Sequence, residues 1–264
     1  IGWCDWSSDV CSSDLQTRLQ EEHPEQIRDL HLRAAEALRT NHQAEQAVAH
    51  FLAASDYQRA TDAVLEIANP TYDSGKLETL AGWLDALPAD MVQSRPHLLF
   101  LRAKIYSDVG KLERAAALFE QARAAFKTLG DAIGQAQTLV HQSAGLHIGG
   151  DFRRAISACR DALALVEGSE QTTEVIELVA SAHRQIGICL ASLGSLAEGE
   201  AELRIALAVY ERTGYLTNIA HVHNDLGVIL RWVGNLTGSE SHFRQALDLW
   251  EQIGNIGMAA LTIN

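Results

Sequence analysis

The fold of this chain is decided by the stretch Gly110-Lys111-Leu112, which returns with changes as Gly150-Asp151-Phe152, Gly194-Ser195-Leu196 and Gly234-Asn235-Leu236. The successive glycines lie 40, 44 and 40 residues apart. A small residue follows each glycine by five positions, a larger apolar residue by nine and an alanine by twelve. A repeat of this length is typical of stacked helical hairpins, because one hairpin cannot bury its own apolar face and packs against the next. The sequence therefore predicts an all-α, right-handed solenoid.

The same register extends towards the N-terminus. Asn41 and Gly75 occupy the position of Gly110, at spacings of 34 and 35 residues. Each is expected at the tight turn between two helices, where a positive φ angle is favoured. Pro88 and Pro96 bracket a short turn segment, since proline cannot continue a helix. The prediction is about six helical hairpins, at residues 24–55, 56–88, 96–128, 136–167, 177–212 and 217–252.

Individual residues refine these helices. The first helix is expected to begin at Pro24 and to bury a face that carries Ile27, Leu30, Ala34 and Leu38. Three of the second helices are expected to end at glycine caps, which are Gly130, Gly214 and Gly254.

Helix positions next to the turns resemble a known repeat. Leu226-Gly227 and Leu230 precede Gly234, and Ile186-Gly187 with Leu190 precede Gly194 in the same way. With the regularly spaced alanines of the second helices, this pattern resembles the tetratricopeptide repeat (TPR). The resemblance implies that Gly187 and Gly227 let neighbouring helices approach closely.

The N-terminal half carries a more specific resemblance. Segments 30–36, 43–50 and 53–60, followed by Trp83-Leu84-Asp85-Ala86-Leu87-Pro88 and by residues 94–99, resemble the helical arm of large MalT-like, LuxR-type bacterial transcriptional regulators that bind ATP. In that family an NTPase domain precedes the arm, and a TPR superhelix that senses an effector follows it. The resemblance implies that ATP binds in an upstream domain. Neither a phosphate loop nor a helix-turn-helix is found in this sequence, so no cofactor is expected in this chain.

Three segments are expected along the chain. Residues 5–15 match a translated sequencing adapter, so residues 1–15 are interpreted as an artefactual, disordered leader. Residues 16–88 form the helical arm, in which Gln16–Leu19 is a candidate for the end of a winged-helix piece. Residues 89–264 form the TPR superhelix. Because the period places Asn264 inside the first helix of another hairpin, we expect a fragment of a longer protein.

Composition narrows the classes of function. The net charge is −13, and the leader accounts for three of these charges, so a direct nucleic-acid contact by this chain is not expected. No apolar run is long enough to span a membrane, which favours a cytoplasmic protein. Cys159 and Cys189 lie in apolar helical patterns and are expected to be small buried residues. No nucleophile and base stand in a catalytic arrangement, so no enzyme is expected and no catalytic residue is assigned.

In a TPR array the first helix of each hairpin lines the concave face. Counting repeat positions back from each turn glycine gives the candidate ligand-binding residues His141, His147, Arg184, Gln185, His221, Asn224, Asp225, Arg231 and Trp232. Guanidinium, amide, imidazole and indole groups suit a sugar-like or anionic ligand, or a peptide carboxylate. Arg231-Trp232 beside Asn224-Asp225 is the part we favour most. The alternative is an ordinary polar surface, since exposed helix faces are polar in any case.

A metal site is not expected. His221 and His223 are two residues apart on a helix, so their side chains point in different directions and chelate poorly.

Two functions remain open. The first is a ligand- or protein-binding TPR sensor segment of an ATP-dependent bacterial transcriptional regulator. The second is a TPR scaffold that binds a peptide and is unrelated to transcription. Self-association of the isolated chain is also expected, because a last hairpin without its neighbour exposes apolar surface.

Overall fold

The computed structural model describes residues 22–263, and within them it contains fourteen α-helices and no β-strand. The expected leader and the candidate winged-helix piece at Gln16–Leu19 lie outside the described residues. The chain divides into two compact units between Ile105 and Tyr106. The expected boundary between arm and superhelix after residue 88 stays a prediction.

The first unit consists of hairpins that pack in chain order. Its helices are α1 (Pro24–Thr40), α2 (Ala44–Ala53), α3 (Tyr57–Asp73), α4 (Leu77–Ala86), α5 (Ala89–Ser94) and most of α6 (Pro96–Asp108). Helices α1 to α4 each contact the next, and α2 also contacts α4. Their core contains Phe51, Leu80 and Leu84, whose side chains are fully buried, because each falls on the apolar stripe of its helix.

Three local expectations for this unit need correction. Of the four residues expected on the buried face of α1, Leu30 is 55% exposed while Ile27, Ala34 and Leu38 are half-buried, and the fully buried residue is Ala35. The turn after α1 takes its positive φ at His42 (59°), while Asn41 has φ −90°. The segment between the two prolines forms the short helix α5, because Pro88 fits the position before a helix and Arg95 adopts extended backbone before Pro96.

The second unit continues the series of hairpins. Its helices are α7 (Leu112–Leu129), α8 (Ala132–Ile148), α9 (Phe152–Leu165), α10 (Thr173–Ser192), α11 (Leu196–Thr213), α12 (Leu216–Trp232), α13 (Leu236–Ile253) and α14 (Ile256–Ile263). Each second helix, namely α9, α11 and α13, contacts the first helix of its own hairpin and the helix that follows. The first helices α8, α10 and α12 also contact one another in order. The predicted all-α solenoid of about six hairpins is confirmed, and α14 contacts α13.

Glycine has two separate uses in this unit. At the hairpin turns it supplies a left-handed backbone, as at Gly194 (φ 88°), and it ends second helices in the same way, as at Gly214 (φ 76°). Inside helices it allows close contact. A Cβ atom at Gly187 would lie 2.8 Å from Leu203 Cγ, and one at Gly227 would lie 2.7 Å from Phe243 Cε1. The expected close approach at Gly187 and Gly227 is therefore confirmed.

The predicted apolar packing between successive helices is present. The alanines twelve positions after each turn glycine are all fully buried, and these are Ala122, Ala162, Ala206 and Ala246. Leu203, Tyr210 and Leu226 lie in the same buried cluster, which joins α11 to α12. Among the larger apolar residues nine positions after each turn glycine, Phe243 is the exception, since it is only half-buried. No helix within residues 22–263 is long and apolar enough to cross a bilayer.

Candidate functional site

An ion pair joins two neighbouring first helices. Arg184 Nε on α10 donates a hydrogen bond of 2.7 Å to Asp225 Oδ2 on α12. The side chains are 30% and 16% exposed, so the pair is partly shielded from water and still accessible. Arg184 and Asp225 are 41 residues apart, about one repeat, which is why helices that contact each other bring them together.

The guanidinium and carboxylate reinforce one another electrostatically. Burial lowers the pKa of Arg184, but the charge and hydrogen bond of Asp225 outweigh burial, and the net pKa is raised above its ordinary value. The guanidinium is therefore a permanent cation at this point of the first-helix layer.

Two imidazoles lie within electrostatic reach of the pair. Burial lowers the pKa of His147, the Asp225 charge raises it and the Arg184 charge lowers it, with a lower pKa as the net result. Burial and then Arg184 lower the pKa of His221 to about 4. Both imidazoles are consequently neutral at pH 7 and offer one donor and one acceptor each. Their rings also contact aromatic rings, His147 at 5.4 Å from Phe152 and His221 at 4.7 Å from Trp250.

The polar cluster formed by Arg184, Asp225, His147 and His221 is suited to an anion. Only Nε of Arg184 is hydrogen-bonded to another side chain within residues 22–263, so its terminal nitrogens retain their N–H groups. Asp225 fixes the plane of the guanidinium, which is the geometry that binds a carboxylate through two parallel hydrogen bonds.

A buried hydroxyl pair supports the cluster from the neighbouring second helix. Tyr210 Oη on α11 lies 2.8 Å from Ser181 Oγ on α10, one turn before Arg184, and burial raises the pKa of Tyr210. Sequence reasoning missed this pair. In the sequence Tyr210 falls at an apolar packing position of its helix, and only the pairing of α10 with α11 brings the Ser181 hydroxyl opposite it.

The remaining predicted residues do not gather at one point. Arg231 and Trp232 are exposed at the end of α12, where the Arg231 guanidinium lies 5.7 Å from the centre of the Phe243 ring. Arg231 borders a shallow cavity of about 370 Å³ that Leu247 and Thr262 also line. Asn224 and His141 are half-buried, and Gln185 Nε2 contacts Cys189 Sγ at 3.9 Å. Within the favoured group, Asp225 therefore contacts Arg184 on α10, whereas Arg231 contacts Phe243 on α13.

Metal and thiol chemistry find little support in the described part of the chain. No group of three or more His, Cys, Asp or Glu residues within it is placed to hold a metal ion. Cys159 and Cys189 are free and buried, as expected for small core residues. Burial raises the pKa of the Cys159 thiol to about 12 and that of Cys189 to about 11, so both stay protonated at pH 7.

The two hairpins that carry Arg184, Asp225 and His221 match a known repeat family. Residues 178–252, which span most of α10 and all of α11, α12 and nearly all of α13, match the tetratricopeptide repeat family. No curated protein matches the chain in sequence.

Solved structures with the same arrangement of helices are distant in sequence. The apo form of RapI is 13% identical, with a TM-score of 0.57 over 89% of this chain and 74% of that protein. A Rap protein complexed with competence and sporulation factor is 13% identical, with a TM-score of 0.59 over 95% of this chain and 61% of its own. Aspartyl phosphate phosphatase F from Bacillus subtilis is 14% identical, with a TM-score of 0.59 over 95% and 58%. At such identities the likeness shows the fold alone, and together with the repeat match it supports a TPR superhelix.

Proposed function

We propose that this chain is a protein-binding TPR segment whose polar cluster at Arg184 and Asp225 binds an anionic group, in the first place a peptide carboxylate. The observation that carries the proposal is the Arg184–Asp225 ion pair on adjacent first helices. It provides a fixed guanidinium with unused donors beside two neutral imidazoles, and both side chains of the pair remain partly exposed.

The similarity to Rap proteins favours a peptide over a small molecule. One of those structures is a complex with competence and sporulation factor. Helical hairpins present a long, continuous surface, and an extended chain can contact several hairpins at once. A carboxylate held at Arg184 would then fix the register of the bound segment.

We further propose that the intact protein is an ATP-dependent bacterial transcriptional regulator of the MalT-like type and acts in the cytoplasm. The support is the resemblance of residues 16 to about 128 to the helical arm of those regulators. In this proposal the TPR segment is the sensor, it is not catalytic, and ATP binds upstream. An effector acts by changing the packing of the hairpins or the oligomeric state, and this relieves inhibition of the NTPase.

A scaffold unrelated to transcription remains the rival, since the same surface would serve it equally well. The flanking reading frame separates the two proposals. A Gly-x-x-x-x-Gly-Lys-Ser/Thr loop encoded upstream supports the regulator, and an upstream region without one contradicts it.

Peptide binding is tested with a selected ligand. Peptides with free C-termini are selected from a random library on the full chain, and the best sequence is measured by fluorescence anisotropy. Arg184→Gln is expected to weaken binding at least about tenfold, because a charge-assisted pair is lost. Arg204→Gln is the matched control, since Arg204 forms an ion pair with Glu200 on the second helix α11. Equal affinity of both variants, or no loss on amidating the peptide C-terminus, would refute the carboxylate site.

A further inference from the structure

One position in the hairpins pairs ionisable side chains across the two helices. His31 faces His50, His183 faces Glu202 and His223 faces His242, and the partners are 19 positions apart in each case. Each first partner stands eleven residues before the residue with positive φ at the turn, and each second partner eight residues after it. The three contacts therefore occupy the same place in three different hairpins.

The fold does not require polar groups at this position. In two other hairpins the same register holds Val64 with Trp83, and Leu139 with Ala158. All four of these side chains are buried, and each pair lies in one apolar cluster. Apolar pairs fill the space, so the imidazoles in the remaining hairpins add a chemical property that packing alone does not need.

The contact in the last complete hairpin is the most enclosed. His223 Nδ1 on α12 lies 2.8 Å from His242 Nδ1 on α13, and His223 is only 5% exposed. A hydrogen bond between two Nδ1 atoms needs one N–H donor and one bare nitrogen. When both rings are protonated, both Nδ1 atoms carry hydrogen, and the contact becomes two facing N–H groups with like charges.

The charged groups near the pair do not neutralise this effect. Glu200 and Arg204 of α11 act on His242, and they form an ion pair of 2.7 Å with each other. Their actions on His242 are opposite in sign, since Arg204 disfavours its protonated form and Glu200 favours it. His221, on the same helix as His223, lies against Trp250 and senses Arg184.

We propose that the His223–His242 contact is a proton-sensitive joint, which holds α12 and α13 together while one imidazole is neutral and releases them when both are protonated. The His183–Glu202 contact lacks this property, because a carboxylate accepts the Nδ1–H of a neutral or a protonated imidazole alike. Acid therefore acts on the hairpin of α12 and α13 and leaves the hairpin of α10 and α11 closed.

The electrostatics give the direction and size of the effect. Burial, followed by the neighbouring His242, lowers the pKa of His223 to about 4, against 6.5 for a free imidazole. The separated helices bind more protons than the closed hairpin between these values, so stability is complete above about pH 6.5 and is lost as the pH falls towards 4. Between about pH 7.5 and about pH 5, the equilibrium constant for opening is expected to rise about 30-fold through His223.

Hydrogen exchange of the full chain tests the joint. After correction for intrinsic exchange rates, wild type is compared with His223→Leu/His242→Leu, which places apolar side chains at both positions, as in the hairpins of Val64 with Trp83 and Leu139 with Ala158. The acid-induced rise in opening of α12 and α13 is expected to be about 30-fold smaller in the double variant. His221 is present in both proteins, so its own titration cancels in the comparison. An equal rise in both proteins overturns the proposal.

A second variant keeps the test decisive if the double variant does not fold. Glu202→His creates a third imidazole pair at the same position, between α10 and α11. Acid is expected to increase exchange in α10 and α11 at least about tenfold in this variant, while wild type changes little there. The hairpin of α8 and α9, with Leu139 and Ala158 at this position, is the internal reference. Acid sensitivity that is the same with Glu202 and with the substituted imidazole would contradict the proposal.

Discussion

Replacing Gly199 by alanine is expected to destabilise the hairpin of α10 and α11, although alanine is the better helix former. A Cβ atom at Gly199 would lie 2.7 Å from the carbonyl oxygen of Gly187 and 3.1 Å from the backbone nitrogen of Ala191. Both neighbours are backbone atoms, so neither can rotate away as a flexible side chain would. The two helices must move apart instead.

The size of the effect follows from two opposing terms. Alanine in place of a helical glycine contributes about 1 kcal/mol of stability. The methyl group falls short of ordinary contact distance by about 0.7 Å, and overpacking of this kind costs about 1–3 kcal/mol, here at the upper end because the obstacle is backbone. The net expectation is a loss of about 1–2 kcal/mol. Gly145→Ala is the matched control, because Gly145 is also helical and a Cβ there would meet nothing within 4 Å.

Hydrogen exchange of α10 and α11 measures the local free energy of opening, and urea titration measures the whole array. Exchange is expected to accelerate in Gly199→Ala and to slow slightly around α8 in Gly145→Ala. If both alanines stabilise the protein equally, the close approach of Gly187 and Gly199 is not a constraint, and the reasoning from backbone contact fails.

Other contacts give effects of graded size. Asp225→Asn is expected to lower the free energy of unfolding by about 1–2 kcal/mol in urea titration, because its ion pair with Arg184 is partly buried. Arg244→Gln is expected to change it by less than about 0.5 kcal/mol, because the ion pair of Arg244 with Glu240 is exposed. Equal losses in the two variants would contradict a special role for Asp225. Phe119→Ala is expected to cost about 3–5 kcal/mol because the ring is buried, and Phe243→Ala about half as much. These losses stay local to the adjoining hairpins, and a uniform rise in exchange from α7 to α13 would refute that. Cys159 and Cys189 are expected to resist iodoacetamide at about pH 8 until the chain unfolds, as peptide mapping will show.

The repeat pattern predicts the hairpins well because its evidence is periodic. Turn glycines such as Gly150, buried alanines such as Ala206 and the crowded Gly187 each recur at one spacing, so chance similarity is unlikely to produce them together. The first hairpin was predicted less well. His42 rather than Asn41 carries the positive φ there, since the turn is one residue later than the register implies.

The candidate site was predicted only in its composition. Position within a repeat identifies the helix face, and in this way the sequence indicated Arg184 and Asp225 separately. Their pairing depends on how two hairpins stack, although a spacing near one repeat is a signal that could have joined them. Arg231 shows the opposite case, because the last turn of α12 lies against Phe243 of α13 and not beside Asp225. The 19-residue spacing of the histidine contacts is also visible in the sequence, but only the pairing of the two helices shows that the side chains meet.

Gly187, Gly227 and Ser143 occupy one position in three first helices, and each is matched in volume by its own second helix. The empty space at Gly227 takes the ring of Phe243, Gly187 takes the smaller Leu203, and Ser143 faces the still smaller Cys159, whose sulfur lies 3.1 Å from the Ser143 hydroxyl. The side-chain volumes at this contact are therefore matched between the two helices of one hairpin and differ from one hairpin to the next. An engineer who recombines this array can exchange whole hairpins, whereas grafting a single helix from one to another would leave either a hole or a collision.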